Sequence, residues 1–85
     1  MNINNLVTIR EKAISNSKLA KEHEIAGNIE EACKLYILAA ESLNYLAMAD
    51  ENIYNKETYK KKAAEYNERV QELFSWLKPD IKYQE

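Results

Sequence analysis

An all-α, antiparallel up-down-up three-helix bundle is the fold this sequence predicts, and three observations predict it. The 85 residues contain one glycine and one proline, so the chain has few places to turn. The hairpin dipeptides Asn-Gly and Asp-Gly are absent, which removes the strongest local signal for paired strands. Apolar residues recur three and four positions apart in three long segments, the spacing of amphipathic helices. A chain of this length makes one small domain and buries only about 60–65% of its unfolded surface. The domain is expected over 1–78, with a polar tail or the start of a linker over 79–85.

The first helix is expected from Asn4 or Asn5 to about Ala26. Asn5 is placed to cap it, because an asparagine oxygen can accept from the orphan amides of a first turn. Leu6, Ile9, Ala13, Ser17 and Ala20 share one face, with Ile14 on its flank. Gly27 supplies the left-handed residue that ends the helix.

Asn28 then caps the second helix, and Glu30 and Glu31 favour the positive end of its dipole. Ile29, Ala32, Tyr36, Ala39, Ala40, Leu43, Leu46 and Ala47 form one broad stripe. Within it the run Leu35-Tyr36-Ile37-Leu38-Ala39-Ala40 is more apolar than one amphipathic face requires. A central helix touching two neighbours explains part of that surplus. Ile37, Leu38, Tyr45 and Met48 exceed what such a helix can hide, so some are expected to be exposed or covered by a partner. This helix should end near Asp50.

The third helix is expected from about Lys56 to Leu77 or Lys78, capped by Asn55 and stopped by Pro79. Tyr59, Ala63, Tyr66, Val70, Leu73 and Leu77 make its buried stripe, flanked by Phe74. Tyr45 and Tyr54 are expected to be partly exposed, and Trp76 to cap the end of the bundle.

Several functions are excluded or disfavoured by composition. Twelve Lys and Arg against fourteen Asp and Glu give a net charge of −2, so there is no general electrostatic case for nucleic acid. No apolar run reaches the ~18 residues of a membrane span. The N-terminus lacks a signal-peptide pattern, and a sole cysteine points to a reducing compartment, so the expected location is the cytoplasm. His23 has no partners at zinc-like spacing, and Cys33 has no histidine within local reach. The single glycine rules out a Gly-rich phosphate loop. Neither a catalytic constellation nor a cofactor or metal site is expected. Lys56 and Lys60-Lys61-Lys62 form the one local basic cluster, which leaves a microtubule or anionic membrane surface as an alternative partner.

Three segments carry a family resemblance. Lys12-Ala13-Ile14, the run Gly27–Glu41 (GNIEEACKLYILAAE) and Tyr66-Asn67-Glu68-Arg69-Val70-Gln71-Glu72-Leu73 together resemble the microtubule-interacting and trafficking (MIT) domain. The middle segment alone also resembles a tetratricopeptide repeat, but no second copy follows at a 34-residue period. An MIT resemblance implies a non-catalytic adaptor that recruits its host protein to C-terminal tails of ESCRT-III subunits, peripherally at endosomal membranes. The expected host is an ESCRT-III-disassembling AAA ATPase, with this domain at its N-terminus. Ligands of the family dock as a helix between helices 2 and 3, or as an extended proline-bearing strand between helices 1 and 3.

Carried onto this sequence, the helix 2/3 groove would comprise Leu43, Tyr45, Leu46, Ala49, Ala63, Tyr66, Asn67, Glu68 and Val70. Glu65 and Glu68 would meet basic ligand residues, and Arg69 an acidic one. The alternative helix 1/3 groove would comprise Ala13, Ser17 and Ala20. Asn67 and Ser17 stand where the family places apolar groove residues, which implies that either groove is weakened or retuned. A self-associating bundle, joined through Ile37, Leu38, Tyr45 and Met48, is the remaining alternative.

Overall fold

A computed structural model describes the backbone of residues 3–77 and the side chains of residues 5–77. It contains three helices, α1 (Ile3–Ile25), α2 (Ile29–Ala49) and α3 (Ile53–Leu77), in an elongated bundle 49 × 24 × 17 Å. The expected stop at Pro79 and the polar tail 79–85 lie outside the described residues.

The α1–α2 turn follows directly from Gly27. Its φ of +88° is the left-handed conformation that ends a helix without a side-chain penalty. The Gly27 N–H donates to the Glu24 carbonyl at 3.1 Å and the Asn28 N–H to the His23 carbonyl at 2.8 Å. This pair of bonds is a Schellman closure. Asn28 precedes α2 as expected, and its carbonyl accepts the Ala32 N–H. Its side chain makes no cap bond, however, and its amide instead meets Nδ1 of His23 at 3.2 Å.

Two cap assignments are corrected. Asn5 lies inside α1 and does not precede it. The third helix starts at Ile53, three residues before the expected Lys56, so Asn55 is an interior residue. Asn52 is the cap: its side-chain oxygen accepts the Asn55 N–H at 3.1 Å, and its carbonyl accepts the Lys56 N–H. Asp50 rigidifies this short loop, accepting the Asn52 N–H at 2.9 Å and the Asn55 amide at 3.1 Å. The exposed Ile53 and Tyr54 hide the early start from sequence reasoning, because their apolar side chains match no buried face.

Alanine dominates the core. Ala13 and Ala20 of α1 and Ala63 of α3 pack against Ala32, Ala39 and Ala40 of α2, with Tyr36, Leu43, Leu46, Tyr66, Val70 and Leu73 supplying bulk. Small side chains let α2 lie close to both neighbours. By contrast, no Cα atom of α1 comes within 8 Å of one in α3 among the described residues. The contacts that do link them join residues 49 and 45 positions apart, a near-constant offset that marks the two helices as parallel.

The apolar surplus of α2 divides as its helical phase dictates. Ile37 packs on the core, whereas Leu38, Tyr45 and Met48 are exposed. Tyr54 is exposed too, as expected, and Trp76 stands out at the α3 end, stacked beneath Arg69 at 5.5 Å.

Candidate functional site

Because α1 and α3 are held apart, a cleft opens between them. Ala13, Ile14 and Ser17 form its α1 wall, Lys62 its α3 wall, and Leu43 of α2 with Tyr66 of α3 its floor, around a volume of about 160 Å³. Leu43 and Lys62 also line an adjoining hollow of about 330 Å³ with Thr58, Tyr59, Lys61 and Glu65. The floor is apolar and nearly sealed, since Leu43 and Tyr66 are each 9% exposed. Ser17 makes the wall less polar than its type suggests. Its hydroxyl donates to the Ile14 carbonyl at 2.9 Å, so its donor is occupied within its own helix.

Two side-chain bridges cross this cleft. At one end an Arg10 guanidinium N–H donates to the Tyr59 hydroxyl at 3.3 Å. At the other, Glu24 of α1 accepts from Arg69 of α3 through both Nε and a terminal nitrogen. Glu24 also accepts the Tyr36 hydroxyl at 2.9 Å, so one carboxylate ties all three helices together. Arg69 holds Glu72 as well, at 2.8 Å.

The electrostatics follow from these contacts. The Arg69 hydrogen bond is the main force lowering the Glu24 pKa, against a smaller opposing effect of burial. Burial first, and then its bond to Glu24, push the Tyr36 hydroxyl up to about 12. Arg69 is held even more firmly protonated than usual by Glu24 and Glu72. Burial raises the Cys33 thiol, whose Sγ lies 4.0 Å from the Val70 carbonyl. A thiol in that setting is a poor nucleophile.

The residues expected to form one helix 2/3 groove do not all line one hollow. Leu43 and Tyr66 line the α1/α3 cleft. Leu46 and Ala49 line a hollow of about 400 Å³ beside Leu6, Arg10 and Tyr59. Tyr45 sits on the outer face of α2, and Ala63 and Val70 are buried. Asn67 and Glu68 are exposed on α3, and Glu65 stands beside Lys62 in the adjoining hollow. Arg69, assigned to an acidic ligand residue, is instead occupied by Glu24 and Glu72. Of the helix 1/3 set, Ala13 and Ser17 line the cleft, whereas Ala20 is fully buried in the core.

The α2/α3 side is marked by the Cys33–Val70 contact and by Lys56, whose ammonium donates to the Ala47 carbonyl at 2.8 Å. One helical turn from Cys33 is Ile37, and one turn either side of Val70 are Asn67 and Phe74. Ile37 and Phe74 thus lie one turn from that contact on their own helices, positions that sequence reasoning did not name there. Ile14, Lys62, Arg10 and Tyr59 were likewise missed at the α1/α3 cleft. A helical phase tied to the Tyr66 position could have found Lys62, four residues earlier.

The lysines of the basic cluster have different settings. Lys60, Lys61 and Lys62 are consecutive on a helix and therefore fan around it at about 100° intervals. Lys62 pairs with Glu65 at 3.4 Å and lies over the Tyr66 ring at 5.3 Å, while Lys56 caps α2. A larger hollow of about 560 Å³, beside the α1–α2 turn, includes His23, Asn28, Glu30, Glu31 and Lys34. Among the described residues, no group of three or more His, Cys, Asp or Glu side chains could hold a metal ion, and no helix is long and apolar enough to cross a membrane.

Fold and cleft together define a small helical interaction module. The profile of the MIT (microtubule interacting and transport) domain matches residues 11–75, and the chain belongs to that family. It is therefore a protein-interaction domain, and a non-catalytic one. Neither a curated protein nor a solved structure matches the chain significantly.

Proposed function

We propose that this domain is a peptide-binding adaptor that recruits its host protein, an AAA ATPase, to C-terminal tails of ESCRT-III subunits at endosomal membranes. The α1/α3 cleft is the groove it uses, with the tail docked as an extended strand. The observation that carries this function is the apolar floor of Leu43 and Tyr66 between two helices that do not close on each other. An extended segment lays alternate side chains into such a crevice. Affinity is expected at about 1–100 μM, because a short segment buries little surface and must be ordered on binding.

An NMR titration of the labelled domain with one proline-bearing and one helical ESCRT-III tail peptide tests this. Shifts centred on Ala13, Ser17, Leu43 and Tyr66 with the proline-bearing peptide are the expected result. Shifts centred on Ile37, Asn67 and Phe74 would transfer the ligand to the α2/α3 side. No shifts with either peptide at millimolar concentration would overturn the ESCRT-III assignment.

Self-association is the second function with an observation behind it. Leu38, Tyr45 and Met48 on the outer face of α2 are 47%, 38% and 80% exposed. A concentration-dependent mass in analytical ultracentrifugation is expected if that face joins two copies, and a monomer at high concentration removes the idea.

A further inference from the structure

The two bridges across the α1/α3 cleft are unequal, and that inequality bears on what the cleft selects. Arg10 and Glu24 stand about four helical turns apart on α1, roughly 21 Å. An extended chain covers that distance in about six residues. The Glu24–Arg69 end is a two-pronged, charge-assisted contact whose side chains are 20% and 34% exposed, and Tyr36 braces it. Such pairs are the stronger kind of hydrogen bond. The Arg10–Tyr59 end is one long bond from a guanidinium to a neutral hydroxyl, and both groups lie at the surface.

Among the described residues no carboxylate lies within 4 Å of Arg10, whereas Arg69 has two. Asp50 and Glu51 share a hollow with Arg10 and Tyr59, but neither carboxylate pairs with the guanidinium. Both Asp50 oxygens already accept bonds within their own loop. Arg10 thus retains unused donors of the fork geometry that fits a carboxylate.

We propose that Arg10 is a specificity-determining residue of this cleft. It exchanges its bond to the Tyr59 hydroxyl for a ligand carboxylate, so the cleft selects a short extended peptide with an acidic residue flanking its apolar anchors. The inference rests on the α1/α3 cleft being the docking groove. Opening occurs at the Arg10 end because one neutral acceptor is lost there and a charged one gained. At the Glu24 end the same ligand would have to displace an existing ion pair.

The test uses two fluorescein-labelled peptides built on a proline-bearing ESCRT-III tail motif, identical except for Glu or Gln at the flanking position. Fluorescence anisotropy is read with the natural protein, Arg10→Gln, Arg10→Glu and Tyr59→Phe. The natural protein should prefer the Glu peptide about three- to fivefold at low salt, with the preference shrinking in about 0.5 M salt. Arg10→Gln should abolish the preference and Arg10→Glu reverse it. Tyr59→Phe, which releases Arg10, should tighten the Glu peptide alone; a merely structural role for the bridge predicts weaker binding of both. Equal affinities of the two peptides for the natural protein, with cleft resonances still shifting, would overturn the role of Arg10 and leave the docking groove standing. Failure of both peptides to bind would overturn the docking groove itself, and the role of Arg10 with it.

Discussion

Replacing Glu24 by glutamine removes one charge from the junction of all three helices. The carboxylate accepts three hydrogen bonds, one from Tyr36 and two from Arg69. Glutamine keeps one acceptor oxygen but loses the ionic component and half of the fork. Bonds to charged groups contribute about 1.5–3 kcal/mol when well shielded. The Arg69 and Glu24 side chains are 34% and 20% exposed, so solvent screening lowers that figure. A loss of about 1–2 kcal/mol is expected, equivalent to a fall in Tm of about 5–15 °C for a domain of this size. The pH dependence isolates the charge. Arg69 holds the folded-state pKa of Glu24 below its ordinary value of 4.5. The folded chain therefore keeps this carboxylate ionised where the unfolded chain takes up a proton. Its stabilisation is complete above the ordinary value and is lost as pH falls through the lowered one. Urea unfolding of the natural protein and Glu24→Gln from pH 7 to pH 3 should show two curves that converge in acid. A gap at pH 7 below about 0.3 kcal/mol, or one that does not narrow with acid, would refute the reasoning.

Two smaller perturbations address the turns. Asn52→Ala should cost about 1 kcal/mol through loss of the α3 cap, and Asn55→Ala less; the reverse order in chemical denaturation would restore Asn55 as the cap. Gly27→Ala should cost about 1 kcal/mol through its left-handed φ alone, because an added Cβ there meets nothing within 4 Å. A loss above about 2 kcal/mol in thermal melts would show that the turn has a packing role as well.

Much of the fold is legible in the sequence because it depends on properties of single helices. Gly27 stops α1, Asn28 and the two glutamates stand at the start of α2, and the buried stripes follow a 3.6-residue period, except that Leu77, expected in the α3 stripe, is 41% exposed at the helix end. The expected surplus on α2 emerges at Leu38, Tyr45 and Met48 for the same reason. The start of α3 was misplaced because Asn52 and Asn55 are chemically equivalent caps. Only the geometry of Asp50, which fixes the backbone between them, separates the two.

The site was less legible. A stripe on α2 says that Leu43, Leu46 and Ala49 belong near one face, but not which of two neighbours each one meets. Tertiary packing places Leu43 beneath the α1/α3 cleft and Leu46 and Ala49 beside Leu6 and Arg10. Arg69 reads as a free surface cation until Glu24, 45 residues away, is found in contact with it. Arg10 carries no signal until Tyr59 appears beside it.

The sequence by itself determined the number and order of the helices, most of each buried stripe and the family, since local propensity and periodicity act along one segment at a time. The tertiary structure alone decided on which flank of α2 each neighbour lies, which charges are occupied, and that α1 and α3 stay apart. Those outcomes depend on how small side chains such as Ala13, Ala39 and Ala63 let α2 approach both partners at once, a property of three helices together.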